Sequence, residues 1–158
     1  MAEPTTGARI LLVEDNRNDV ELILHALEKK GLAGFTHVVR HGAAAIDYLL
    51  GSTAQAGLDA ARRIPLVLLD LKLPKVSGIE VLRRIRADPR TRLVPVVAFT
   101  SSREQRDIAA CQELRISGYV VKPVEFEKFC AAIESIVTYW LMVNQPPPPG
   151  PHAHAAGA

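Results

Sequence analysis

The chain has 158 residues, of which 48% are hydrophobic, and its 19 lysines and arginines nearly balance 17 aspartates and glutamates, for a formal net charge of +2. That length supports one hydrophobic core but hardly two. Because the charge lacks the dense basic surface that phosphate backbones require, we expect no nucleic acid partner. No apolar signal core begins the chain, and no run approaches the roughly 18 to 20 apolar residues that cross a bilayer, so we expect a cytoplasmic protein without membrane contact.

Short apolar runs alternate with helical patterns along the first half of the chain. The pattern predicts, in order, a strand at 9–13, a helix at 19–30, a weaker strand at 35–39 and a short helix at 43–50. Gly31 and Gly51 end the two helices as C-terminal caps. The small and polar residues that follow, 51–65, are typical of a surface loop.

The alternation continues in the second half. It predicts a strand at 66–69, a helix that begins at Ser77 and ends at Asp88, a strand at 94–100, a further helix, a strand at 119–121 and a last helix from Val124. Ser77 with Glu80, and Ser101 with Glu104, have the spacing of a capping box. We therefore expect a domain at 9–143, preceded by an extension at 1–8 and followed by a flexible, proline-rich tail at 144–158.

Strands that are apolar on both faces and alternate with helices predict a parallel sheet covered on both sides. The fold class is therefore a doubly wound α/β domain with five parallel strands. In such sheets the site lies at the carboxyl ends of the strands.

Polar side chains follow four of the predicted strands at this edge. They are Glu14 and Asp15 after the first strand, Asp70 after the third, Thr100 at the end of the fourth and Lys122 after the fifth. Three converging carboxylates need a compensating positive charge, and oxygen ligands without histidine or cysteine favour Mg²⁺. With Lys122 and Thr100 to contact phosphoryl oxygens, the set predicts a phosphoryl-transfer site in which Asp70 is the nucleophile.

Four motifs carry a resemblance to a known family. The sequences LLVEDN, VLLDLKLPKVSGIEVLRRIR, VVAFTSS and GYVVKP, in this order, resemble the CheY-like receiver domain of bacterial response regulators, from about Arg9 to Trp140. The separations of 30 residues between Asp70 and Thr100, and of 22 between Thr100 and Lys122, also match this family. The resemblance implies a flavodoxin-like sheet with strand order 2-1-3-4-5.

The resemblance also implies the chemistry of the acidic residues. Asp70 would take a phosphoryl group from a phosphohistidine on a sensor histidine kinase. Glu14 and Asp15 would bind Mg²⁺ together with Asp70, and the backbone carbonyl of Lys72 would complete the metal shell. The chain would then be a signalling protein, not an enzyme, beyond catalysing its own phosphorylation and dephosphorylation.

The same resemblance implies a conformational switch. Lys122 would contact the phosphoryl group and precede a cis peptide bond to Pro123. Thr100 would move toward the phosphoryl group, and Tyr119 would follow it inward.

Two positions depart from the commonest receiver pattern. Lys72 and Ser102 each lie two residues after a site residue, where they would flank the path of an attacking water molecule. We expect Lys72 to lengthen the phosphoryl lifetime. Among the other polar and reactive residues, the arginines at 83, 84 and 86 are expected to form a solvated helix face, and Cys111 and Cys130 to be buried thiols.

The end of the last helix predicts how the protein passes its signal on. The apolar residues there extend further than one covered face requires, which makes Tyr139, Trp140 and Leu141 candidate interface residues. This ending is similar to single-domain response regulators that work with bacterial phytochromes, many of which dimerise through the face of the fourth helix, fifth strand and fifth helix. We therefore expect a homodimer.

Other functions stay open at this point. The receiver could pass its phosphoryl group to another histidine protein in a phosphorelay, or it could be a pseudo-receiver that only binds proteins. A phosphatase of the haloacid dehalogenase type would need a second carboxylate where Lys72 stands. A flavin or dinucleotide carrier would need a glycine-rich phosphate loop in place of the acids at 14 and 15.

Overall fold

A parallel sheet of five strands lies at the centre of the computed structural model, which describes residues 8–51 and 64–145. The strands are β1 (Ile10–Val13), β2 (Thr36–Val39), β3 (Leu66–Leu69), β4 (Val96–Thr100) and β5 (Gly118–Val121). They pair in parallel in the order β2-β1-β3-β4-β5. The predicted doubly wound fold and its strand order are therefore confirmed.

Five α-helices within the described residues cover the two faces of the sheet. They are α1 (Arg17–Lys29), α2 (Gly42–Leu50), α3 (Gly78–Ala87), α4 (Gln105–Glu113) and α5 (Phe126–Thr138), and a π-helical turn, Tyr139–Val143, follows α5. Helices α1 and α5 pack on one face of the sheet, and α2, α3 and α4 pack on the other. No helix in the described part of the chain is both long and apolar enough to span a membrane.

Strands β1 and β3 are buried on both faces of the sheet. Every residue of β1 and β3 is buried, and alternate side chains enter opposite cores. Ile10 and Leu12 contact the core beneath α1 and α5, whereas Leu11 and Val13 contact the core beneath α2 and α3. This explains why the sequence shows continuous apolar runs there and not an alternation of apolar and polar residues.

The helix ends follow the predicted signals in part. The Ser77 hydroxyl accepts a hydrogen bond from the Glu80 amide at 3.2 Å, and Gly31 follows α1 with a φ of 69°. The predicted start of α4 at Ser101 is wrong, because α4 begins at Gln105 and Ser102 is the serine that accepts from the Glu104 amide. Strand β4 extends to Thr100, so the chain needs four residues to turn into the helix.

One arginine departs from the predicted solvated face. Arg83 and Arg84 are exposed, but Arg86 is partly buried at the end of α3. Its guanidinium donates to three backbone carbonyls and one hydroxyl: Arg92 O, Val94 O, Arg115 O and Ser117 Oγ. Burial, with the nearby charge of Arg115, lowers the pKa of this guanidinium. Arg86 therefore joins the segments that lead into β4 and β5.

The two cysteines are buried free thiols, as predicted. The other boundary predictions fall mostly outside the described residues: the extension at 1–8, the loop at 51–65 and the tail at 144–158. The domain limits of 9–143 therefore stay predictions.

Candidate functional site

The predicted polar residues meet at one edge of the sheet because the strands are parallel and in register. Val13 lies beside Leu69 at the ends of β1 and β3, and Thr100 lies beside Val121 at the ends of β4 and β5. The residue that follows each of two strands donates a backbone hydrogen bond to the neighbouring strand. The Asp70 amide donates to Val13 O at 3.0 Å, and the Lys122 amide donates to Thr100 O at 2.8 Å.

Three carboxylates cluster at this edge of the sheet. One oxygen each of Glu14, Asp15 and Asp70 lies within 4.8 Å of the others. Glu14 and Asp70 are buried, whereas Asp15 is exposed at the rim. Backbone amides orient the two buried acids: Asn16 donates to Glu14 Oε2 at 3.2 Å, and Lys72 donates to Asp70 Oδ1 at 3.3 Å.

The Lys122 ammonium is bound by three carboxylates. Its Nζ lies 2.5 Å from Glu14 Oε1, 2.8 Å from Asp19 Oδ2 and 3.3 Å from Asp70 Oδ2. The side chain of Lys122 is only 9% exposed, so these ion pairs lie largely out of water. The structure thus brings Lys122 to the predicted acids and adds a further acid, Asp19.

Asp19 is a site residue that the sequence reasoning missed. It lies in the first turn of α1, where its amide donates to the side chain of Asn16, the N-cap residue, at 3.0 Å. Its position in the first turn of the helix that follows β1 was the available signal, since that turn begins at the edge of the sheet where β1 ends.

Burial and the charges of neighbouring side chains shift the pKa values of Glu14 and Lys122. Burial raises the pKa of Glu14 from 4.5 to about 7; the Lys122 hydrogen bond opposes this shift, and the charge of Asp70 adds to it. Burial alone would lower the pKa of Lys122, but the hydrogen bonds to Asp19 and Glu14 and the charge of Asp70 raise it above its usual value. One ammonium therefore does not neutralise the acids that surround it.

This uncompensated charge fits a divalent cation. The donors are carboxylate oxygens of Glu14, Asp15 and Asp70, with neither histidine nor cysteine among them. Such all-oxygen sets suit hard ions such as Mg²⁺, which is held by a few carboxylates and keeps several water ligands. A cation there would also favour the ionised form of Glu14.

Thr100 and Tyr119 are linked through Ser102. The buried Thr100 hydroxyl accepts from the Ser102 amide at 3.3 Å, and the Tyr119 hydroxyl donates to the Ser102 carbonyl at 3.0 Å. The Ser102 hydroxyl donates to Asp107 Oδ2 at 2.5 Å and accepts from the Glu104 amide at 3.3 Å. Ser102 therefore uses its amide, carbonyl and hydroxyl to connect the candidate switch residues to the start of α4.

Three expectations for neighbouring residues need correction or qualification. Ser102 is 2% exposed and its hydroxyl is bound within the first turn of α4, so its place beside a water path stays a prediction. The peptide bond between Lys122 and Pro123 is trans, as are all the peptide bonds of the described residues. The trans isomer is the lower-energy state unless its surroundings enforce the cis one. Lys72 is exposed, and its backbone amide, not its side chain, contacts Asp70.

The candidate interface residues differ in exposure. Tyr139 is 49% exposed, but Trp140 and Leu141 are partly buried and pack against the core beneath α5. Met142 and Val143, in the same π-helical turn, are exposed. The apolar surface at this end of the chain is thus formed by Tyr139, Met142 and Val143.

Comparison with known proteins decides the family. Residues 10–134 match the response regulator receiver domain. The chain belongs to this family. Receiver proteins of two-component systems are signalling proteins, and the CheY-like fold inferred from the four motifs is confirmed.

Three similar proteins cover nearly the whole receiver. The probable methanogenesis regulatory protein FilR2 of Methanothrix harundinacea is 40% identical over 89% of this chain and 88% of its own. The bacteriophytochrome response regulator AtBRR is 46% identical over 87% of this chain and 99% of its own, with a TM-score of 0.64. The Mn²⁺-bound form of response regulator Rcp1, a protein of Synechocystis, is 31% identical over 88% and 98%, with a TM-score of 0.77.

Proposed function

We propose that this response regulator accepts a phosphoryl group on Asp70 from a phosphohistidine of a sensor histidine kinase, in a reaction that depends on Mg²⁺. The observation that carries the proposal is the Lys122 ammonium, which contacts both Glu14 and Asp70 in a buried acidic pocket at the carboxyl edge of the sheet. A structural ion pair would need one acid for this lysine. The surplus of acids is what a site for a cation and a phosphoryl group requires.

The residues have distinct roles in this reaction. An Asp70 carboxylate oxygen attacks phosphorus, the new O–P bond forms as the N–P bond to histidine breaks, and the imidazole leaves with the electron pair. Lys122 and the Thr100 hydroxyl then contact phosphoryl oxygens, and Tyr119 moves inward with Thr100. Mg²⁺ held by Glu14, Asp15, Asp70 and the Lys72 carbonyl would supply positive charge to the phosphoryl oxygens.

Related proteins support two-component signalling but differ in what they regulate. AtBRR is a bacteriophytochrome response regulator, which supports a phytochrome kinase as the donor for this chain. FilR2 is described as a methanogenesis regulator, so similarity across the receiver does not by itself fix the stimulus. The Mn²⁺-bound form of Rcp1 supports the binding of a divalent cation by this chain as well.

The proposed output is dimerisation or partner binding in the cytoplasm by a receiver at 9–143. In the proposed dimer a second copy packs on the face of α4, β5 and α5 and covers the exposed apolar side chains of Tyr139 and Met142, in the turn that follows α5. The link from Thr100 through Ser102 to α4 and Tyr119 connects the site to this face.

Intact mass and light scattering test the proposal together. The wild type and Asp70→Asn are incubated with acetyl phosphate, with and without Mg²⁺, and then separated by size. The proposal predicts the mass of one phosphoryl group on the wild type only, with Mg²⁺ only, and a dimer in the phosphorylated sample. A wild type that neither gains mass nor binds Mg²⁺ would instead be a pseudo-receiver.

A further inference from the structure

We propose that Asp19 is a positioning residue that holds the Lys122 ammonium beside α1 in the unphosphorylated protein and thereby restrains phosphorylation of Asp70. This inference rests on the proposed function of Asp70 and concerns the side chain that competes with it for Lys122. The Lys122 Nζ lies closer to Asp19, at 2.8 Å, than to Asp70, at 3.3 Å.

The lysine has no spare hydrogen for a phosphoryl oxygen. An ammonium has three N–H donors, and Lys122 directs them at three carboxylates, those of Glu14, Asp19 and Asp70. The hydrogen bond to Asp70 can pass to an oxygen of the phosphoryl group that Asp70 carries, whereas any further contact with that group requires Lys122 to leave Glu14 or Asp19. Full contact with the phosphoryl group therefore includes an exchange of partners at Lys122.

Of Glu14 and Asp19, Asp19 is the partner that Lys122 can leave at the lower cost. The Glu14 side chain is 1% exposed, so losing the ammonium would leave a buried carboxylate uncompensated. The Asp19 side chain is 24% exposed, and water can replace the lysine as its donor. Asp19 also lies in the first turn of α1, where the helix dipole stabilises its charge without Lys122.

The exchange adds to the barrier of phosphoryl transfer. While Lys122 is bound to Asp19, it cannot turn fully toward charge that develops on the phosphoryl oxygens in the transition state. Removing the Asp19 charge, without changing the size of the side chain, should therefore free the ammonium. A residue that merely stabilised α1 would instead leave the rate unchanged or lower it.

The test compares Asp19→Asn with Glu21→Gln. Glu21 is exposed on the same helix, so Glu21→Gln removes the same charge away from Lys122. The rate of phosphorylation by acetyl phosphate is measured by intact mass at saturating Mg²⁺, and the Lys122 ammonium is followed by ¹⁵N NMR in the absence of phosphodonor. Denaturant unfolding checks that both variants are folded.

We expect Asp19→Asn to be phosphorylated about two to five times faster than the wild type, the range that a partly exposed ion pair supports. Its Lys122 ammonium hydrogens should exchange faster with water, and Glu21→Gln should match the wild type in both measurements. If the wild type is phosphorylated but Asp19→Asn is no faster than Glu21→Gln, the inference is wrong while the proposed function stands. If the wild type itself gains no phosphoryl group, the proposed function fails first.

Discussion

The Ser102 hydroxyl and the Asp107 carboxylate form a hydrogen bond of 2.5 Å that fastens the loop after β4 to the first turn of α4. Ser102 is 2% exposed, and its backbone carbonyl accepts from Tyr119 while its amide donates to Thr100. The state of the Thr100 hydroxyl is therefore connected to α4 and to Tyr119 through one buried residue. Any movement of Thr100 toward Asp70 must break or rearrange this link.

Asp107→Ala should loosen this link. We expect a loss of stability of about 1–2 kcal/mol, because the Ser102 hydroxyl loses its acceptor in a buried position. Hydrogen exchange at the Glu104 amide should also become faster, since that amide donates to the same hydroxyl. Denaturant unfolding and hydrogen exchange measure the two effects. Glu113→Ala, at the exposed end of α4, is the matched control and should change neither.

Glu14→Gln should change how stability depends on pH. The Glu14 pKa is raised from 4.5 to about 7 in the folded protein, so folding favours its protonated form. That contribution is complete below pH 4.5 and is lost as the pH rises through about 7. In the presence of a chelator we expect Glu14→Gln to be more stable than the wild type at pH 8, by on the order of 1–3 kcal/mol, and similar to it at pH 4.

Added Mg²⁺ should reduce this difference in stability. The ion stabilises the state that binds it, and Glu14→Gln has lost one carboxylate of the site. We therefore expect Mg²⁺ to stabilise the wild type at pH 8 more than the variant. A variant that loses stability at pH 8 in chelator would show that the Glu14 charge is fully compensated by Lys122.

Arg86→Met should destabilise the fold without touching the acidic pocket. The substitution keeps part of the apolar stem but leaves the carbonyls of Arg92, Val94 and Arg115 without this donor. We expect a loss of about 2–3 kcal/mol in the free energy of unfolding, because several partly buried acceptors lose a charged donor together. Arg84→Met, exposed on the same helix, should change stability little, and equal losses in the two variants would contradict the role assigned to Arg86.

Lys72→Asn should shorten the lifetime of the phosphorylated state. The Lys72 side chain is exposed, and its amide orients the Asp70 carboxylate. A shorter side chain should open the path of water to the phosphoryl group while the backbone contact is kept. Decay of the phosphorylated mass after removal of phosphodonor measures the effect, and Lys75→Asn is a control in the same loop. An unchanged decay rate in Lys72→Asn would contradict the prediction.

The sheet could be predicted because its signal is local. The runs at Ile10–Val13 and Leu66–Leu69 are apolar at every position, since both faces of these strands are buried, and the predicted and observed bounds agree within two residues. The acids after these strands could then be placed together, because parallel strands end at the same edge.

The contacts of single side chains could not be predicted in this way. Asp19, Ser102 and Arg86 have ordinary positions in the sequence, and their partners lie up to 103 residues away in the chain. Whether such a residue is solvated or bound depends on how helices pack on the sheet, which hydrophobic periodicity does not specify. The same limit applies to the start of α4, where a bond from Ser102 to Asp107 replaced the predicted capping box.

We propose that Asp70 is the residue that carries the phosphoryl group, and borohydride trapping identifies that residue chemically. The wild type is incubated with Mg²⁺ and acetyl phosphate, treated with borohydride, which reduces an aspartyl phosphate to homoserine, and digested for mass spectrometry. We expect homoserine at position 70 and unmodified aspartate at positions 15 and 19. Homoserine at another position, or none in a sample whose intact mass had increased, would contradict it.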